Sequence, residues 1–336
     1  MGVTLNDIAK KVGVSPSTVS RVINGSAPIS DEMKKKIYKA MNELNYHPNS
    51  LARNLATGSS LTIGLVVDAD NETAFANSFF NRSVYAIERV AQKNGYNLLI
   101  TNDIGKKSSP VCDLVYGQRV DGLIIPSSGV KDSLLEVLEK ENTPWVMLGE
   151  ATGTGEDICW VDMDNCEGSK KAVRHLLERG YKKIVYVADD IQATFTKRRI
   201  AGYQSALKEN GISVTEEQVM VCENDLEKLE KMIAVKIEKE ETDAYICSNN
   251  ILAYRVLQAL KDKGKRVPEE IGIITFDNYP MAEYMTPPLT VIDVDTYRLG
   301  EMAAELLIRK IKEKGQINRE NLIPTELIIR ESTNRS

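Results

Sequence analysis

The sequence predicts an all-α helix-turn-helix headpiece followed by an α/β core of two doubly wound parallel sheets. Three observations carry this expectation. Residues 3–25 place two short helical periods around a glycine turn. From Leu61 onward, short apolar runs alternate with helical stretches. The alternation restarts after residue 160, so the core reads as two similar units.

The headpiece elements follow from local chemistry. Thr4, followed three residues later by Asp7, is a capping-box-like helix start. Leu5, Ile8, Ala9 and Val12 then share one helical face. Gly13 stands where a tight turn needs a residue tolerant of positive φ. Ser15 is an N-cap candidate, and Pro16 suits the first helical position, where no backbone N–H is needed. Val19, Val22 and Ile23 face the first helix. Pro16, Ser17, Ser20, Arg21 and Asn24 then point outward, as residues that read a major groove do. Spacing alone equally fits two amphipathic helices of an ordinary core. A third helix starts after Ser30, with Ile37, Ala40, Met41 and Leu44 inward. Its run Lys34-Lys35-Lys36 reads either as a solvated face or as phosphate contacts beside a reading helix. Pro48 ends the unit. Asn49–Ala56 is a short helical segment, too short for stability alone, and 57–60 is a Gly/Ser exit.

In the core, 62–67, 97–100, 122–125 and 145–148 read as buried parallel strands, with helices near 78–94 and 132–141 between them. The stretch 104–117 is a weak helix with Pro110 in its middle. After a crossover around 160–162, strands are expected at 183–188, 219–222, 244–247 and 271–276. Helices are expected at 165–180, 197–210, 225–239 and 250–264.

Composition narrows the functional classes. Net charge is −5, yet residues 1–60 hold eight lysines and arginines against four acids, so a basic module sits on an acidic body. There is no signal-peptide core and no apolar stretch of membrane-span length, which points to a cytoplasmic chain without a membrane partner. Five scattered cysteines without a Cys-x-x-Cys read as reduced thiols. His47 and His175 are the only histidines, which nearly excludes a His-based triad or a multi-His metal site. No phosphate-cradling glycine loop with its lysine occurs, and no cofactor is implied.

The ordered string from Thr4-Leu5 through Asp7-Ile8-Ala9, Gly13-Val14-Ser15, Thr18-Val19-Ser20-Arg21-Val22 and Asn24 resembles the headpiece of the lactose-repressor (LacI/GalR) family of bacterial transcription regulators. Leu44-Asn45-Tyr46-His47-Pro48-Asn49 and Ala52-Arg53-Asn54-Leu55-Ala56 continue the likeness, which runs over essentially the whole chain. The resemblance implies a periplasmic-binding-protein-like core of two lobes joined by three crossovers. It sets a headpiece at 1–47 and a hinge and linker at 48–60. The first lobe is then 61–161 plus 291–322, and the second 162–290 plus 323–336. It further implies a homodimer on a pseudo-palindromic operator. Thr4, Ser15, Pro16, Ser17, Thr18, Ser20, Arg21, Asn24, Asn49, Ala52 and Arg53 are then the DNA-facing residues, and Leu55 is a minor-groove wedge.

Small-molecule effectors of the family bind between the lobes, at the carboxyl ends of the strands. Arg199 matches the effector-gripping arginine, Asn249 the pocket asparagine and Asp277 the pocket aspartate. Lys197 and Phe75 complete the expected wall. Two departures stand out: Asn250 replaces a frequent aspartate, and Gly149 stands where some relatives have an acid, with Glu150 adjacent. Both remove negative charge beside Lys197-Arg198-Arg199, which points to a sugar acid or sugar phosphate as effector. The expected function is a repressor of carbohydrate-utilisation genes and not an enzyme. The competing readings are a solute-binding protein, a sugar-acting enzyme, a corepressor-dependent repressor and an activator.

Overall fold

Three helices, α1 (Leu5–Val12), α2 (Pro16–Asn24) and α3 (Asp31–Glu43), form the headpiece. The structure, a computed structural model, describes residues 3–24, 28–46, 58–67, 78–103, 109–151, 158–223, 225–313 and 318–335. The predicted start and stop signals act locally. The Asp7 carboxylate accepts from the Thr4 backbone N–H (2.9 Å) and hydroxyl (2.7 Å). Gly13 has φ 77°, and its N–H bonds to the Ala9 carbonyl (2.9 Å). Ser30 Oγ accepts from Met33 N at 3.4 Å. Ile8, Ala9, Val19, Val22, Ile37, Ala40 and Met41 are buried together as the core of this unit. With so few residues inside, each large apolar side chain matters; truncating one such residue costs about 2–5 kcal/mol.

The larger unit contains two sheets. The first comprises β1 (Thr62–Val67), α4 (Ser78–Lys93), β2 (Asn97–Asn102), α5 (Pro110–Tyr116), β3 (Gly122–Pro126), α6 (Asp132–Lys140), β4 (Trp145–Leu148) and β5 (Trp160–Met163). The second comprises α7 (Asn165–Glu178), β6 (Ile184–Ala188), α8 (Thr194–Glu209), β7 (Val219–Val221), α9 (Leu226–Glu238), β8 (Ala244–Cys247), α10 (Asn250–Asp262), β9 (Gly272–Phe276), α11 (Pro280–Tyr284) and β10 (Thr290–Asp293). The chain then returns to the first sheet with α12 (Thr296–Lys312) and β11 (Glu320–Ile323). It ends in the second with β12 (Glu326–Ile328).

Strand orders are β11-β5-β4-β3-β1-β2 and β12-β10-β9-β8-β6-β7. Every pair is parallel except β10 with β12. Helices on both faces explain why β6, β8 and β9 are apolar and buried end to end. Close helix crossings close each lobe. A Cβ on Gly202 of α8 would lie 2.1 Å from the Cys166 carbonyl oxygen of α7. One on Gly300 of α12 would lie 2.3 Å from that of Ser83 in α4.

Several expectations need correction. The lobe boundaries placed at 161, 291 and 322 each fall inside a strand. Pairing keeps Trp160–Met163 in the first sheet, Thr290–Asp293 in the second and Glu320–Ile323 in the first, so the crossings come after 163, 293 and 323. The segment 160–162 was expected as a bare crossover, but it is paired on both sides as β5. These strands are as short as β4 and β8, but each carries an acid within its four residues, so none shows the continuous apolar run that marks a buried strand. Pro110 opens α5 instead of interrupting it, because Ser109 Oγ caps the helix by accepting from Cys112 N (3.1 Å).

Candidate functional site

In the headpiece, Ser15, Pro16, Ser17 and Arg21 are exposed along α2, while Thr18 and Ser20 are half-buried. The hydroxyls at the helix start are already linked to each other. Ser15 Oγ lies 2.8 Å from Ser17 Oγ and 2.9 Å from Thr18 Oγ1, and accepts from Thr18 N at 3.2 Å. Ser15 and Thr18 therefore act first as the cap. Thr4, whose hydroxyl donates to Asp7, does the same for α1. Arg21 is left as the exposed cation of the reading face. Asn24 ends α2. Asn49, Ala52, Arg53 and Leu55 lie outside the described residues.

Two lysines of the α3 run, Lys34 and Lys36, are paired with acids of their own helix. Lys34 meets Asp31 (3.1 Å), Lys36 meets Glu32 (2.8 Å), and Lys39 and Lys11 both meet Glu43 (3.9 and 2.7 Å). Hydrogen bonding from Lys36 and Lys11 holds the Glu32 and Glu43 carboxyls below their ordinary values. Exposed pairs of this kind are weak and exchange readily for phosphate partners.

The second site lies at the carboxyl ends of the strands in the larger unit. Arg199 of α8 is buried, with its guanidinium over the Phe276 ring at 3.8 Å and near that of Phe195 at 5.0 Å. Its Nε donates to Asn165 Oδ1 (2.8 Å) and its Nη1 to the Ser248 carbonyl (2.9 Å). Two of five donors thus fix the fork, and Nη2 holds no protein bond among the described residues.

Asp277 follows β9 with φ 73°, a conformation aspartate and asparagine tolerate better than most residues. Its N–H bonds to the Ile292 carbonyl (3.0 Å). With its amide nitrogen turned toward β9, the buried Asn250 donates to the carbonyls of Phe276 and Asp277, both at 3.1 Å. An aspartate at 250 would have no such N–H to give when ionised. Burial pushes the Asp277 carboxyl up to about 6; Arg199 opposes this, while Asp293 and Asp189 add to it.

Asn249 is largely committed to structure. Its Oδ1 caps α10 through Leu252 N (3.0 Å), and its Nδ2 donates to Asp189 Oδ2 (2.7 Å). Lys197 is exposed. Phe75 lies outside the described residues. The expected bank of three cations is broken up, because Arg198 grips Glu150. Its Nε donates to Oε2 at 2.5 Å and its Nη2 to Oε1.

Sequence reasoning missed three polar groups of this cleft. Asp162 accepts from the backbone N–H of Glu150 (3.0 Å) and of Met163 (2.7 Å), and burial raises its carboxyl above the ordinary value. Asn165 orients Arg199. Asp189 receives Ser248 Oγ (3.3 Å) as well as Asn249. Asp189 is the first residue after a predicted strand, the signal that would have found it. Asp162 sat in the unrecognised β5 region, and Asn165 opens a helix that was expected at its true start.

Among the described residues no group of three or more His, Cys, Asp or Glu could hold a metal. His175 is buried against Thr333 Oγ1 (2.8 Å), and burial lowers its pKa. No described helix is long and apolar enough to cross a membrane.

Comparison with known proteins decides the family. Residues 4–49 match the family described as "Bacterial regulatory proteins, lacI family", and 173–333 match a periplasmic binding protein-like domain. The HTH-type transcriptional repressor PurR of Photobacterium profundum is 32% identical, over 98% of this chain and 98% of that protein. The chain belongs to the lacI family of bacterial regulatory proteins. This lacI-family chain is therefore a DNA-binding transcriptional regulator and not an enzyme. Two solved structures resemble it over nearly full length. The transcriptional regulator CelR in complex with cellobiose is 28% identical, with TM-score 0.73, over 98% of this chain and 99% of that one. The lac repressor dimer bound to operator and the anti-inducer ONPF is 25% identical, with TM-score 0.80, over 99% of each.

Proposed function

We propose that this regulator is a homodimeric repressor of carbohydrate-utilisation genes whose operator affinity is set by a polyhydroxylated, sugar-like effector bound between its lobes. The observation that carries the effector reading is the convergence of Arg199, Asp189 and Asp277 at the ends of β6, β8 and β9. A fixed fork of donors facing fixed acceptors suits the vicinal hydroxyls of a sugar. The cellobiose complex of CelR and the operator-bound dimer of the lac repressor support the same reading by likeness.

On DNA, exposed Arg21, Pro16 and Ser17 lie at base edges, and the lysines of α3 exchange their acidic partners for phosphates. Leu55 wedges a base step, and the chain works on the chromosome in the cytoplasm. Pro16 donates nothing and Ser17 pairs with several bases, so specificity leans on Arg21 and on DNA deformability. Effector binding changes the lobe geometry and, through the hinges, the affinity for operator.

A thermal-shift screen of sugars, sugar acids, sugar phosphates and nucleosides tests this, with Arg199→Ala alongside and operator selection from random DNA in parallel. The expected result is a ligand that stabilises the parent, leaves the variant unmoved and changes operator binding of the parent only. Equal stabilisation of both proteins would displace the site.

A further inference from the structure

Among the described residues, an ion pair joins a residue that follows the first sheet to a helix of the second. Glu150 follows β4 of the first sheet and Arg198 lies on α8 of the second. The Glu150 side chain is only 16% exposed, and Arg198 presents Nε and Nη2 to its two oxygens as a fork. The carboxylate is aimed by its own backbone. Gly149 turns at φ 95°, and a Cβ there would lie 2.8 Å from Ser127 Oγ, so glycine is needed at the turn. The Glu150 N–H is then held by Asp162 Oδ2 at 3.0 Å.

We propose that Glu150 sets the charge preference of the cleft. By filling both arms of the Arg198 fork from the opposite lobe, it withdraws the cation that would receive a ligand carboxylate or phosphate. The cleft thereby selects an uncharged polyhydroxy ligand over its acidic counterparts. This rests on the inter-lobe reading of the effector site. Of the other cations, Arg199 is stacked on Phe276 and bonded through Nε and Nη1 to Asn165 and Ser248, which leaves only Nη2 to a ligand, and Lys197 is exposed. Asp162, Asp189 and Asp277 add negative charge that an anionic ligand would have to face. The absence of an acid at 149 therefore does not leave the site cationic, because its neighbour supplies one.

The test needs no knowledge of the natural effector. The full chain, Glu150→Gln and the double variant Glu150→Gln/Arg198→Ala are titrated with inorganic phosphate and with gluconate at constant ionic strength, and melting is followed. Glutamine keeps the backbone bond to Asp162 and the length of the side chain. The expected result is a midpoint for anion stabilisation at least tenfold lower in Glu150→Gln than in the parent, a gain abolished in the double variant. The proposal is overturned if parent and Glu150→Gln respond alike, or if the gain survives removal of Arg198. A neutral-sugar panel run beside it reads the effector assignment separately. If no sugar shifts the parent while the anion arm behaves as expected, the sugar reading fails and the charge filter stands.

Discussion

Replacing Asp277 by asparagine should stabilise this protein near neutral pH while removing its response to effector. The carboxyl follows β9, and burial moves its pKa from 3.8 to about 6 despite the nearby Arg199. A buried acid with a raised pKa binds its proton more tightly in the folded state than in the unfolded chain. Between those two values the native state holds more protons, so stability falls as pH rises through this window and stays reduced above it. A rise of roughly two pKa units corresponds to about 3 kcal/mol of charge-burial cost at pH 7.

Asparagine has the same shape, tolerates the left-handed backbone at φ 73° and carries no charge. The raised pKa already includes the attraction to Arg199, so on the order of 1–3 kcal/mol should be recovered. Thermal melts at fixed protein concentration, at about pH 5 and about pH 7.5, read this directly; the parent should gain stability toward acid and the variant should not. A variant that melts below the parent near neutral pH, or that keeps the parent's pH dependence, would refute the reasoning. A destabilising acceptor kept in a cleft is expected where function needs an unpaired group for a ligand.

Other perturbations address the remaining parts. Gly202→Ala forces a Cβ against the Cys166 backbone carbonyl, and backbone cannot step aside as a side-chain tip can. Chemical denaturation should show a loss of at least about 1–3 kcal/mol, and unchanged stability would mean α7 and α8 are not locked at this crossing. Arg21→Ala should weaken operator binding by about 1–3 kcal/mol if it reads a base, or lower the salt slope by about one if it meets a phosphate; no change in either would remove it from the interface. Leu55→Ala should cost roughly 1–3 kcal/mol of operator affinity and leave ligand binding intact, and equal affinity for operator would discard the wedge.

Much of the architecture was legible because its causes are local. Thr4 with Asp7, Gly13, and Ser30 with Met33 act within one helical turn, so reading them in order locates the headpiece helices. The central strands are continuous apolar runs because helices cover both faces, and runs such as 244–247 were read at their true ends. The four-residue strands β5, β10 and β11 escaped because pairing with distant strands, not pattern, makes them strands. Of the proposed site residues, Arg199 and Asp277 were picked out from motif position, and the structure buries the Arg199 guanidinium against Phe276, the residue before Asp277.

The roles of their neighbours were not. Asn249 matched a ligand-binding position, yet it spends its amide on capping α10 and on Asp189, 60 residues away in sequence. Lys34 and Lys36 read either as a solvated face or as phosphate contacts, and the pairing with Asp31 and Glu32, three and four residues earlier on the same helix, is a local feature that the reading left unused. Arg198 looked like one of three free cations, and only folding brought it to Glu150, 48 positions earlier. By itself the sequence determined where helices begin, which strands are buried and which family motif the headpiece carries, since those depend on residues within a few positions of one another. The tertiary structure alone decided which charges are spent and which remain available, because an ion pair depends on distance in space across a cleft that no local pattern encodes.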